Sequence, residues 1–184
     1  MIILLMSNFE KSFYKLISLS RNKISLNIFN FITNNDNSIL IMPNLYLGNI
    51  YAANDIDFLE KNQISSVINC SNEIEFHEYF NDKHIFRLFV NDNKDPENIK
   101  NFQENIFDAL KFIDNEINKK RVVLVHCYFG LMRSATVIAA YLIVKYKMSV
   151  NDAIEFLKKK NKIVFNHGYN FIDILTYVYK IHNS

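Results

Sequence analysis

Glycine is nearly missing from this sequence: there are 3 in 184 residues, with 2 prolines and no tryptophan. So little Gly and Pro excludes a collagen-like, linker-like or Pro-rich disordered chain. It also excludes a dinucleotide fingerprint, which needs clustered glycines, because Gly48, Gly130 and Gly168 lie far apart. The 2 cysteines, Cys70 and Cys127, are too few for a disulfide framework or a four-thiolate zinc site. Neither sign of charge dominates. With 21 basic and 19 acidic residues the formal charge is +2, which gives no reason to expect a nucleic-acid partner. No apolar run is long enough to cross a bilayer. The opening run Met1–Met6 is short and has no basic segment before it, so no membrane partner and a reducing, intracellular setting are expected.

What remains is rich in core-forming residues, 49% hydrophobic and 14% aromatic, enough for one domain with an appendage. The 26 asparagines read as a bias toward A/T-rich codons, so single Asn residues carry little meaning. Leu5, Phe9, Phe13, Leu16 and Ile17 recur at helical spacing and predict an amphipathic N-terminal helix, followed by a polar, turn-rich linker ending near Ser38. Residues 1–38 are therefore taken as an extension and 39–184 as the compact domain. Ile39–Ile41 and Leu45–Leu47 predict two strands around Pro43-Asn44. A helix is expected over 52–62, then strands over 65–70 and 85–90, the latter closing at Asp92. Asp95 as cap and Pro96 as first residue predict a long helix to Asn118. Val122–Val125 is an unbroken, mostly β-branched run, the signature of a strand buried on both faces. Ser134–Tyr146 predicts a central helix, and 150–160 and 169–182 two more. Alternating strands and helices give an α/β domain with a central, mostly parallel sheet flanked by helices.

Ligands in such sheets bind beyond the carboxyl ends of the strands. The most apolar strand ends in His126-Cys127-Tyr128-Phe129-Gly130-Leu131-Met132-Arg133-Ser134. A loop curling from strand to helix start turns N–H groups inward and, with the helix dipole, makes a nest for a dianion. Gly130 permits a backbone approach that a side chain would block. Arg133 can grip two phosphoryl oxygens at once. The same positive field favours thiolate over thiol at Cys127.

The stretch resembles the His-Cys-x5-Arg-Ser/Thr signature of the protein tyrosine phosphatase superfamily, and Ala135-Thr136 with Ala140-Tyr141-Leu142 is similar to its dual-specificity branch. Leu45–Gly48 with Ala53, Ile64–Asn69, Met148–Val150 with Ala153, and Asn166-x-Gly168-Tyr169 resemble further motifs of that branch in the same order. The resemblance implies a protein tyrosine phosphatase-like fold and a protein phosphatase acting on phosphotyrosine and phosphoserine/phosphothreonine through a phosphocysteine, with no cofactor and no metal. Cys127 would be the nucleophile. Arg133 and the loop positions Tyr128, Phe129, Gly130, Leu131 and Met132 would bind phosphate. Ser134 would assist thiolate departure, and His126 would hold the loop and support the thiolate. The general acid would be Asp92 or Asp95. Asp92 is favoured, because Asp95 is better explained as a helix cap. Two positions depart from the usual loop: Phe129 and Met132 are bulky where small residues are common, which puts loop packing and pocket rim in question. Asn166 is expected to brace the loop, and Cys70 to be a small buried residue.

Glu10–Leu16 resembles the N-terminal helix of the poxvirus virion dual-specificity phosphatase family, in which that helix swaps between subunits. This implies a homodimer through residues 1–20 and a cytoplasmic location, in host cytoplasm or virion if the source is viral. Two alternatives stay open: a phospho-binding module without useful turnover, and a phosphatase for RNA 5′ ends or lipids. The uncharged loop interior and near-neutral charge favour phosphoprotein substrates.

Overall fold

The computed structural model describes residues 36–166 and 171–183. The expected N-terminal helix and the closing motif at Gly168-Tyr169 lie outside the described residues. The elements follow in the order β1 (Ser38–Met42), β2 (Leu45–Gly48), a short 3-10 turn (Ala52–Asn54), α1 (Ile56–Lys61), β3 (Ile64–Asn69), a second 3-10 turn (Glu78–Phe80), β4 (His84–Arg87), α2 (Pro96–Asn118), β5 (Val122–His126), α3 (Arg133–Tyr146), α4 (Val150–Lys160) and α5 (Ile172–His182). The sheet order is β1-β2-β5-β3-β4. Among the described residues only the β1–β2 hairpin is antiparallel, and the three remaining pairs are parallel. The architecture is thus an α/β fold with a mostly parallel central sheet, and β5 lies at its centre.

That position explains why β5 is so apolar. Alternate side chains of a strand face opposite sides of a sheet. Val123 and Val125 enter a large core with α2, α3, α4 and α5, while Leu124 enters a smaller core with Ala53, Leu59, Val67 and Phe80. Helix α3 is buried on every side from Arg133 to Ile143, as its lack of a polar face suggests. The long helix spans Pro96–Asn118 as expected. Asp95 accepts the Glu97 N–H at 2.9 Å, a cap that contributes about 1 kcal/mol.

The fourth strand differs from expectation. It ends at Arg87, and Asp92 does not close it. Beyond Leu88, whose N–H still bonds Asn69, the backbone groups are claimed by side chains. The Phe89 carbonyl accepts from Asn101, the Val90 carbonyl from Arg133 and the Asn91 carbonyl from Asn98. The segment therefore peels away from the ladder and crosses the carboxyl end of the sheet.

Candidate active site

Register places His126 between Gly48 of β2 and Asn69 of β3 at the carboxyl edge of the sheet. The chain then turns through 127–132 into α3. The outer side of this loop is pinned. The Tyr128 carbonyl accepts from the Ile50 N–H at 3.2 Å and the Leu131 carbonyl from the Phe165 N–H at 3.2 Å. The Met132 carbonyl accepts from the Thr136 N–H at 2.8 Å and its hydroxyl at 2.9 Å. No peptide among the described residues is cis. A trans peptide aims each N–H opposite the preceding carbonyl, so the N–H groups of Phe129, Met132 and Arg133 point away from these partners. Met132 supplies no side-chain cap, which leaves the start of α3 to whatever sits there.

The side chains of Tyr128, Phe129, Leu131 and Met132 are buried in the main core. Phe129 and Met132 thus face the interior instead of forming a rim, and the Tyr128 and Phe129 rings meet edge to face with centroids 4.9 Å apart. Gly130 has φ +73°, and a Cβ there would stand 2.8 Å from the Gly48 carbonyl oxygen. Two of the three glycines are therefore packed back to back.

Cys127 Sγ accepts from the Gly130 N–H at 3.3 Å and the Ser134 hydroxyl at 3.2 Å. His126 is fully enclosed. Burial pushes its imidazole down to about 3, against a weaker opposing pull from the Cys127 backbone, with the charges of Arg133 and Arg87 adding to the fall. It is neutral at physiological pH and presents no charge to Cys127. Its carbonyl holds the neighbouring strand by accepting the Cys70 N–H at 2.8 Å. Cys70 is a free, buried thiol. Burial raises its pKa well above the ordinary value and Cys127 raises it further, with Arg133 opposing, so it stays protonated.

Arg133 is 2% exposed. Burial alone would favour the neutral guanidinium, but the facing charges of Cys127, Glu73 and Asp92 outweigh it and hold the group charged. A guanidinium carries five N–H bonds, one on Nε and two on each Nη. Nη1 donates to Glu73 Oε2 at 3.0 Å and to the Val90 carbonyl at 3.1 Å. Nη2 reaches Glu73 Oε1 at 2.8 Å, and Nε has no partner. The buried, unpartnered Nε hydrogen and the second Nη2 hydrogen beside it form an edge that Glu73 does not use, with donors for a second pair of oxygens. The Cys127 thiol at the start of α3 and this buried guanidinium edge together suit a tetrahedral dianion.

Asp92 is half-buried and close enough for its charge to act on Arg133. Asp95 is exposed with its carboxylate on the helix cap. Asn166 does not brace the loop: its side chain donates to the Lys162 carbonyl at 2.5 Å. The brace is the backbone of Phe165, held at φ 61°, a conformation rare for a bulky residue, so that its N–H meets Leu131. Sequence reasoning missed Glu73. Applying the strand-end rule to β3 as well as β5 would have drawn attention to residues 70–75. An open groove of about 460 Å³ lies beside Glu73, lined by residues 73–78 with Ile50 and Asn54. Among the described residues no group of three or more His, Cys, Asp or Glu is arranged to hold a metal ion.

The family model for the dual specificity phosphatase catalytic domain matches residues 45–180. Human dual specificity protein phosphatase 16 is 32% identical over 149 residues, covering 78% of this chain and 21% of that protein. Human dual specificity protein phosphatase 9 is 33% identical over 135 residues, covering 73% of this chain and 34% of that protein. The chain thus spans about a fifth to a third of the length of these curated relatives. The crystal structure of the human tyrosine phosphatase-like serine/threonine/tyrosine-interacting protein superposes with a TM-score of 0.70 at 25% identity, covering 80% of this chain and 98% of the other.

Proposed function

The chain belongs to the dual specificity phosphatase family, and from that premise we propose that it hydrolyses phosphotyrosine and phosphoserine/phosphothreonine in proteins through a phosphocysteine on Cys127. The observation that carries the reading is the unpartnered Nε of buried Arg133, whose charge Cys127 acts on, together with a Cys127 sulfur that already accepts two hydrogen bonds. In the first step the Cys127 thiolate forms the S–P bond as the P–O bond to the leaving oxygen breaks, and Asp92 supplies the proton that oxygen needs. The guanidinium edge and the loop N–H groups stabilise the charge spread over the equatorial oxygens. In the second step Asp92, now ionised, takes a proton from water as the water oxygen attacks phosphorus. The S–P bond breaks and the Ser134 hydroxyl steadies the departing thiolate. Each step uses groups of this chain.

The groove beside Glu73 gives the peptide flanking the phosphorylated residue a place to lie. Its Glu73, Glu75 and Glu78 oppose a second anionic group, which argues against RNA 5′ ends and polyphosphorylated lipids as substrates. A pure phospho-binding role is the competing reading. The charges of Cys127 and Asp92 that both act on Arg133 argue for turnover. Purified full-length chain is to be assayed with phosphotyrosine and phosphothreonine peptides side by side. Release of phosphate from both is expected, and tight binding without release would replace the enzyme reading with the binding one. No helix among the described residues is long and apolar enough to cross a membrane.

A further inference from the structure

We propose that Glu73 is a positioning residue, which fixes the Arg133 guanidinium so that its unpartnered Nε edge is left for the phosphate. The inference rests on the reaction proposed at Cys127. Arg133 has a long stem with many rotamers, and a guanidinium free to turn would lose freedom on gripping a dianion. Glu73 removes that freedom beforehand. Its two oxygens take one hydrogen from each Nη nitrogen at 3.0 and 2.8 Å, which fixes both the plane and the rotation of the group. The Val90 carbonyl adds a third anchor at 3.1 Å. None of these bonds uses the Nε hydrogen, so Glu73 and a phosphate occupy different edges.

Glu73 is itself held. Its loop is tied to β3 through the Asn69 side chain, which donates to the Ile74 carbonyl at 2.7 Å. From β4, Arg87 donates to the Ser71 carbonyl at 3.1 Å and the Ile74 carbonyl at 2.7 Å, with its guanidinium 4.7 Å from the Phe76 ring centroid. The Glu73 side chain is only 17% exposed, so water competes little for the pair. The carboxylate is thus an anchored fork rather than a mobile counterion following Arg133.

This role makes a prediction opposite in sign to simple electrostatics. Removing a carboxylate next to an anion site reduces repulsion and should tighten phosphate binding. Removing a positioning fork should weaken it. The test uses the full chain with Glu73→Ala and the near-isosteric Glu73→Gln. It measures the dissociation constant of inorganic phosphate by calorimetry, kcat and KM for a small aryl phosphate, and the melting temperature. Glu73→Ala is expected to weaken phosphate binding about tenfold and to lower kcat/KM by roughly 10–100-fold, the size of loss a misplaced reacting group produces. Glu73→Gln, able to accept through one oxygen only, should fall between parent and Glu73→Ala and keeps the test alive if Glu73→Ala fails to fold. Phosphate affinity unchanged or tightened in the folded variants, whatever their melting temperature, would overturn the proposal. A parent that binds phosphate without turnover would sink the reaction yet still let the phosphate arm judge Glu73. A parent that binds no phosphate would sink both.

Discussion

Substituting Gly130 by Ala tests the architecture of the phosphate loop at its tightest point. Residue 130 has φ +73°, where an L side chain costs about 1–2 kcal/mol. The new Cβ would also sit 2.8 Å from the Gly48 carbonyl oxygen, 2.9 Å from its carbon and 3.2 Å from the Asn49 nitrogen. These are backbone atoms of a strand end paired to His126, so they cannot turn aside. Overpacking against a rigid neighbour adds about 1–3 kcal/mol, so the loss sums to about 2–5 kcal/mol. For a chain of this size each kcal/mol lowers the melting temperature by about 2–4 °C, which gives a fall of about 4–20 °C. Calorimetric melting reads the stability, and phosphate titration of the folded fraction reads the loop. Phosphate binding should weaken as well, because the Gly130 N–H that meets Cys127 must move. Gly48→Ala is the control. Its added Cβ would stand 2.8 Å from a Leu124 methyl, the end of a side chain that can shift, and its φ lies outside the left-handed range. It should cost less and leave phosphate binding intact. A Gly130→Ala protein that melts with the parent and binds phosphate equally well would refute the reasoning.

Other outcomes follow from the same geometry. Asp92→Asn should lower kcat strongly for substrates with poor leaving groups, whereas Asp95→Asn should cost about 1 kcal/mol of stability and spare turnover. The reverse pattern in parallel kinetics and melts would reassign the acid. His126 falls from 6.5 to about 3 on folding, so between those values the unfolded chain binds a proton that the native chain refuses. Stability is therefore lost as pH drops below 6.5, by about 2 kcal/mol at pH 5 for this group alone. Urea melts of parent and His126→Asn at pH 7 and pH 5 should show a smaller acid loss in the variant. The homodimer that the resemblance of Glu10–Leu16 implies predicts a halved mass by light scattering when residues 1–20 are deleted, and an unchanged mass would reject that role for the segment.

Legibility followed from whether a feature is local. Helix α2 could be read with its ends because Asp95 and Pro96 are start signals next to each other in sequence, and β5 because burial on both faces leaves an unbroken apolar run. The Cys127–Arg133 spacing is likewise a property of one loop. The end of β4 was not readable. There the ladder stops because Asn98 and Asn101 of the following helix, and Arg133 43 residues beyond Val90, take the carbonyls of 89–91, and no pattern within the strand announces those partners. Glu73 meets Arg133 across 60 residues, and no spacing within either segment announces the pair. The direction of Phe129 and Met132 depends on the loop lying over the core, and the brace on Leu131 comes from a Phe165 backbone conformation that side-chain identity does not reveal.

The covalent step at Cys127 can be trapped. Full-length protein is mixed with an aryl phosphate, quenched in acid within one turnover, digested, and the peptides are weighed. One phosphoryl group is expected on the peptide containing Cys127, decaying as phosphate is released and absent in Cys127→Ser, which should also be inactive. Turnover that persists in Cys127→Ser, or a phosphoryl group found on any other residue, would contradict a covalent step at Cys127.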